Sequence, residues 1–301
     1  MIGLSSFILG SPMTDDLTKH FPAVAELGYG LVEIAYQNPE LVHAPLIKRA
    51  AEEVGLKLAV AGDFTGGRNI SSGSPAQRRD ALAYLAECIE FAAALGAKVV
   101  AGPMYSAVGL AQPASPSERL RQWDHAVQGL KSAAARGDAL GIALAVEPLN
   151  RFESDLVNTV DQALRMCAEV GASNVGVALD TFHMNIEEES LTGAIIAAAG
   201  KILSFQASEN TRGTPGAGHI PWDQVLTALA RSGYTGAVIV EAFKTDDDPA
   251  LAGTLSLWRP VFGSPRQLQR DAIDFLSARW GAGTSAGVPA PAPSDKPIGR
   301  T

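Results

Sequence analysis

Short apolar runs recur along the chain at near-regular intervals, separated by longer Ala/Leu/Glu-rich stretches of helical pattern. The runs IGLSSFI, YGLVEIAY, LKLAVAG, AKVVAG, GIALAVE, NVGVALD, KILSFQAS and GAVIVEAF begin near residues 2, 29, 56, 97, 141, 174, 201 and 236. Most are continuously apolar rather than alternating, the pattern of parallel strands covered on both faces. Seven helical stretches close on a glycine: Gly28, Gly55, Gly96, Gly141, Gly171, Gly200 and Gly233. Glycine suits that place because the left-handed backbone at a helix C-terminus crowds a Cβ. Helix starts are legible too. Ser74-Pro75 offers an N-cap and a proline at the first helical position, Thr159 to Gln162 fits a capping box, and Pro221 opens the helix after the seventh strand. A last helix runs to about Trp280.

Eight strands, each followed by a helix at roughly 35 residues per unit, predict an α/β chain forming a single (β/α)8 barrel. That domain is expected over residues 1–280. An open, doubly wound sheet is the structural rival. The regular units and the missing dinucleotide glycine fingerprint count against it. From Gly281 the composition changes to GAGTSAGVPAPAPSDKPIGRT, with almost nothing to bury, so residues 281–301 are expected to be disordered.

Composition supports a large core: 47% of the 301 residues are hydrophobic and 19% charged, which excludes a mainly disordered chain. The net charge is −8 and no Lys/Arg block stands out, so no nucleic-acid partner is expected. No run reaches the roughly 18 apolar residues of a membrane helix, so no membrane partner is expected either. The N-terminus lacks a basic n-region and meets Pro12, Asp15 and Asp16, so it reads as a first strand rather than a signal peptide. A cytoplasmic protein is the expectation. Cys88 and Cys167 cannot form a disulfide framework or a four-cysteine zinc site and read as buried free thiols.

A barrel of this kind carries its chemistry at the C-terminal ends of its strands. Strand five ends in Glu147, strand six in Asp180, strand seven carries Gln206, and strand eight ends in Glu241. Each follows the last by about one βα unit, so four neighbouring strands would bring them to one rim. Three carboxylates converging without a cation repel one another and resist ionisation; a bound divalent metal resolves that conflict. The set is all oxygen and suits Mg²⁺ or Mn²⁺ better than a tetrahedral zinc site. Any one of these residues alone could cap a strand end or pair with a nearby Arg or Lys; four at matching positions favour a site. The following loops add Asn150, Arg151 and Glu153, then His183 and Asn185, then Glu209 and Arg212 before a glycine-rich turn. A lone His183 would read as a packing histidine, but it stands three residues beyond Asp180. Arg212 either pairs with Glu209 at the surface or contacts an anion or hydroxyl. His20, His43 and His125 fall on helical stretches away from the rim, and His219 is left unassigned.

VEPLNRFESD (146–155), ALDTFHMNIEE (178–188), SFQASENTRGTPGAGH (204–219) and VIVEAF (238–243) resemble the ketose 3-epimerases. That group includes D-tagatose and D-allulose (psicose) 3-epimerase and lies within the xylose-isomerase-like TIM barrels. The resemblance spans residues 1–280 and is most specific in the second half, where Trp258-Arg259 also looks like a family pair. It implies metal ligands at Glu147, Asp180, Gln206 and Glu241, with Glu147 and Glu241 doubling as the acid/base pair. It implies substrate contacts at Glu153, His183 and Arg212. One divalent metal per subunit, Mn²⁺ or Mg²⁺ with Co²⁺ admissible, a small-molecule sugar substrate, and a homodimer or homotetramer are implied likewise.

The chain departs from the family at two places. The epimerases it resembles have histidine where this chain has Gln206, and AGPMYSAVG after strand four is not their usual form. Glutamine still ligates through its carbonyl oxygen, and hydroxypyruvate isomerases look similar there. The leading expectation is therefore C3 epimerisation of a free ketose through an enediolate. The rival is another enolising reaction on the same metal: aldose–ketose or hydroxypyruvate isomerisation, or elimination from a 3-keto sugar. A sugar phosphate held by the Arg212 loop is a further alternative. A non-catalytic sugar-binding barrel is another, which the intact glutamate pair argues against.

Overall fold

The computed structural model describes residues 1–244, 246 and 248–283. Its strands are β1 (Ile2–Ser5), β2 (Leu31–Tyr36), β3 (Lys57–Gly62), β4 (Val99–Gly102), β5 (Ala143–Val146), β6 (Val175–Asp180), β7 (Ile202–Ala207) and β8 (Val238–Val240). All pair in parallel, in sequence order, and β8 closes on β1. The helices between them are α1 (Phe21–Glu26), α2 (Ala44–Glu53), α3 (Pro75–Leu95), α4 (Pro116–Leu140), α5 (Val160–Val170), α6 (Thr181–Glu187), α7 (Leu191–Ala197) and α8 (Trp222–Arg231). After β8 come α9 (Pro249–Thr254) and α10 (Pro265–Gly283). The chain is thus the expected (β/α)8 barrel.

The punctuation read from the sequence works locally as expected. All seven helix-closing glycines take positive φ, between 67° and 99°. Ser74 Oγ accepts from the Gln77 N–H, and Thr159 and Gln162 form the reciprocal capping box. Pro221 precedes the first residue of α8. Both cysteines are buried and free. Among the described residues, no helix is long and apolar enough to cross a membrane. The closing helix passes Trp280 and ends at Gly283, so the expected disordered tail loses its first three residues to α10; its remainder lies outside the described residues.

Strand parity divides the barrel wall into two faces. Val32, Ile34, Val60, Val100, Leu144, Val177, Leu179, Phe205 and Val240 join helix residues such as Leu85, Ile89, Leu130 and Val225 in the main apolar cluster. Residues of the opposite parity face the lumen and form small separate clusters, Leu31 with Ala237 and Ile239, and Ala101 with Ala145 and Ala178. Two residues further along these strands, the same parity delivers Glu33, Glu147, Asp180 and Glu241 to the inner face, all of them buried.

Two glycines test this packing differently. Gly141 has φ +67° and open space around its missing Cβ, whereas a Cβ on Gly176 would stand 2.3 Å from the carbonyl oxygen of Lys201, the residue that leads into β7. Gly141→Ala is expected to lower unfolding stability by about 1 kcal/mol through backbone strain. Gly176→Ala is expected to lower it by about 3 kcal/mol, because β6 and β7 must separate. Urea denaturation of the two variants measures both.

Candidate active site

The C-terminal mouth of the barrel gathers the residues that the strand ends pointed to. Asp180 closes β6 and stands opposite Gln206 in the β6–β7 ladder. Glu147 follows β5, its N–H bonded to the Gly102 carbonyl, and Glu241 follows β8, its N–H bonded to the Ala207 carbonyl. The register of the barrel therefore fixes all four backbones. Asp180 Oδ1 accepts from the Phe182 N–H at 2.8 Å, capping α6, which leaves Oδ2 for the mouth.

Arg212 stands at the centre of this group. Its Nη1 donates to Asp180 Oδ2 at 2.6 Å and to Glu241 Oε2 at 2.9 Å, and its Nη2 lies 2.9 Å from His183 Nε2. The guanidinium is 3% exposed and rests over the Phe182 and Phe243 rings, at 4.0 and 4.9 Å from their centroids. The surface pairing with Glu209 considered for Arg212 is not formed. Glu209 instead ties the glycine-rich loop together, accepting from Gly216 N, Ile220 N and Trp222 Nε1 at 2.7, 3.1 and 2.9 Å. That loop holds Arg212 over the mouth.

His183 Nδ1 accepts from the Asn150 N–H at 3.0 Å, a bond that places the ring proton on Nε2. The Arg212 contact asks the opposite of Nε2, and one neutral ring cannot meet both demands. Glu147 Oε1 and Asp180 Oδ2 lie 3.6 and 3.8 Å from the same nitrogen. Glu147, Asp180 and His183 each offer a ligand atom within 4.8 Å of the others, so this corner could hold a metal ion. Glu153 is buried beside them and accepts from Asn150 Nδ2 at 2.8 Å. Arg151 turns outward to Glu187, and His219 meets Asn185 at the exposed rim.

Electrostatics follow from burial and crowding. Burial first, then the nearby Asp180 charge, raises both Glu147 and Glu241 well above the ordinary carboxylate range, with Arg212 opposing. Burial works against the Asp180 charge as well, but Arg212, His183 and the Phe182 N–H together hold it below its usual value. Burial, then Arg212, lowers His183, favouring the neutral ring. Among these groups Arg212 is the one firmly held cation, because Asp180 and Glu241 outweigh its desolvation.

One site residue escaped the sequence reading. Glu33, in the middle of β2, is 1% exposed and accepts from Gln206 Nε2 at 3.1 Å. Burial pushes it up to about 7, Gln206 partly offsetting and Asp180 adding to the rise. Its signal was a lone acidic residue inside the apolar run YGLVEIAY, away from the strand end where site residues were sought. Across the mouth, Phe7, Phe64, Val108, Phe243 and Leu251 supply an apolar wall facing Glu147, Glu153, His183 and Glu241. Val108 belongs to the AGPMYSAVG segment after β4, which departs from the form usual in the family the sequence resembles.

Comparison with known proteins agrees with this architecture. Residues 21–278 match the xylose isomerase-like TIM barrel family. The chain is 31% identical over 277 residues to an L-ribulose 3-epimerase of Mesorhizobium japonicum, covering 91% of this chain and 92% of that one. It is 33% identical over 263 residues to a D-psicose 3-epimerase of Agrobacterium fabrum, covering 84% and 89%. A solved structure of L-ribulose 3-epimerase superposes with a TM-score of 0.88 at 30% identity, covering 94% of this chain and 95% of the other.

Arg212→Met would leave the buried Asp180 and Glu241 carboxylates without their shared cation. Its expected effect, in the presence of a chelator, is a loss of about 3–5 kcal/mol of unfolding stability. Urea denaturation reads this directly; an unchanged midpoint would show that the guanidinium does not carry the charge balance.

Proposed function

The chain belongs to the xylose isomerase-like TIM barrel family, and from that premise we propose that it is a divalent-metal-dependent isomerase inverting C3 of free ketoses. The observation that carries this reading is the convergence of Glu147, Asp180, Gln206 and Glu241, all buried, at one barrel mouth, with a glutamate at each end of the arc. The relatives named for L-ribulose and D-psicose epimerisation support the ketose class.

The residues fit a hard cation. Three carboxylates and an amide carbonyl form an oxygen donor set of the kind Mn²⁺ and Mg²⁺ take, and Gln206 Oε1 is buried without a hydrogen-bond partner. Glu147, Asp180, Gln206 and Glu241 would hold the ion. When bound, a divalent cation supplies the positive charge that stabilises the enediolate oxygens as the C3 proton is lost.

The protein's own groups do the rest. Glu147 leaves β5 and Glu241 leaves β8, so β6 and β7 separate them and they address the substrate from different sides. One takes the proton from C3 and the other returns a proton to the opposite face, with roles exchanged for the other epimer. Arg212, His183 and Glu153 hold the carbonyl and neighbouring hydroxyls. Phe7, Phe64 and Leu251 keep water from the planar intermediate.

Gln206, where the epimerases that the sequence resembles carry histidine, favours one second reading: aldose–ketose or hydroxypyruvate isomerisation on the same residues. Incubating the Mn²⁺-loaded protein with D-fructose, D-tagatose and hydroxypyruvate in D₂O separates the two. A C3 epimer carrying deuterium at C3 is the expected product; an aldose or tartronate semialdehyde would establish the second reading instead. Chelation is expected to abolish turnover and added Mn²⁺ to restore it. Glu147→Gln and Glu241→Gln are each expected to lower kcat by at least about 10²-fold.

A further inference from the structure

Gln206 presents a problem that the rim residues do not solve. An amide has two different ends, and only its carbonyl oxygen ligates a cation. A glutamine at a metal site must therefore be held from flipping. Two carboxylates flank its nitrogen: Nε2 donates to Glu241 Oε1 and to Glu33 Oε2, each at 3.1 Å. When both neighbours are ionised, as beside a bound cation, each is an acceptor only, so the flipped amide would set its carbonyl oxygen against two carboxylate oxygens and leave both N–H groups without them. The orientation follows from the chemistry of the neighbours. It leaves Gln206 Oε1 buried and unpartnered.

The two neighbours are not equivalent. Glu241 takes Arg212 on its other oxygen and, in the reading above, serves as ligand and acid/base, so its hydrogen bond to Gln206 cannot be counted on throughout the reaction. Glu33 has no such duty. It reaches Gln206 from β2 across the lumen, where Ala101, Ala145 and Ala178 on the facing strands leave room. Its other oxygen, Oε1, makes no hydrogen bond, and among the described residues no Lys, Arg or His pairs with it. A buried carboxylate without an ion pair lowers stability. Among the described residues, the one hydrogen bond of its side chain is to the Gln206 amide.

We propose that Glu33 is a positioning residue that locks the Gln206 carbonyl oxygen toward the cation shared with Glu147, Asp180 and Glu241. The inference rests on the metal-dependent reading of this site. Glu33 does not itself ligate; it acts through the amide, as carboxylates behind metal-bound histidines do.

The test uses the full chain and Mn²⁺ alone, with free Mn²⁺ followed by electron paramagnetic resonance and folding checked by thermal unfolding. Glu33→Met fills the volume without an acceptor, and its expected effect is a Kd for Mn²⁺ raised about tenfold. Glu33→Gln keeps an acceptor oxygen for Nε2 and is expected to stay within about threefold of the parent. In a Gln206→Met background, Glu33→Met is expected to change nothing further, because there is no amide left to orient. An unchanged Kd in Glu33→Met overturns the proposal. So does a full tenfold loss in Glu33→Gln, or an equal loss in the Gln206→Met background, since either outcome assigns Glu33 a role through charge or folding. Asp180→Asn separates the two levels of argument. If it leaves Mn²⁺ binding intact, the metal reading itself fails; if it weakens binding while Glu33→Met does not, only the role of Glu33 fails.

Discussion

Four carboxylates, Glu33, Glu147, Asp180 and Glu241, are buried together in the mouth of one barrel, and a single guanidinium bonds two of them. Like charges at such spacing cannot all be ionised without positive charge among them. Everything else at the mouth answers that constraint. Arg212 is carried inward on a loop that Glu209 ties down, Asp180 is given a backbone N–H and the guanidinium, and the two glutamates at the ends of the arc hold protons more tightly than usual. Asp180 is held in its charged form, while burial and the Asp180 charge disfavour ionisation of Glu147 and Glu241.

The barrel makes this cluster affordable by how it divides its strands. Parity sends most of the large apolar side chains outward to the helices, where the main core lies, and leaves the lumen to small apolar clusters below and to the polar residues at the mouth. The mouth can then be polar without a breach in the main core. The shift in register between Val177 and Ala178 falls one strand from Gln206, where Gly176 lets β6 and β7 approach closely. Local backbone irregularity thus sits directly below the residues whose placement matters most.

The fold was legible in the chain because its punctuation is chemical rather than statistical. A glycine closing seven of the helices, a proline or hydroxyl at several starts, and doubly covered strands leave few alternatives to eight parallel units. The rim was legible for the same reason: Glu147, Asp180 and Glu241 interrupt apolar runs at their C-terminal ends. Glu33 was not, because it stands mid-strand, and only closure of the barrel brings β2 within reach of β7. The fate of Arg212 was open too. Nothing in its spacing from Glu209 distinguishes a surface pair from a guanidinium turned inward; the structure turns it inward by using Glu209 on backbone N–H groups instead.

On the proposed reading, glutamine at position 206, where the epimerases that the sequence resembles carry histidine, changes one ligand and leaves in place the two glutamates proposed to move protons. Glu147 and Glu241 come from β5 and β8 whichever residue stands between them, and the strand order fixes the sides from which they approach. An epimerisation needs two such groups flanking one carbon, whereas shifting a carbonyl along a sugar needs a proton carried between neighbouring positions. On the proposed reading, the stereochemical outcome depends on which carbon the wall of Phe7, Phe64 and Leu251 presents between the glutamates. On the proposed reading, residue 206 sets how firmly the ion is held, and Glu33 acts on it from β2 through the hydrogen bond to its amide.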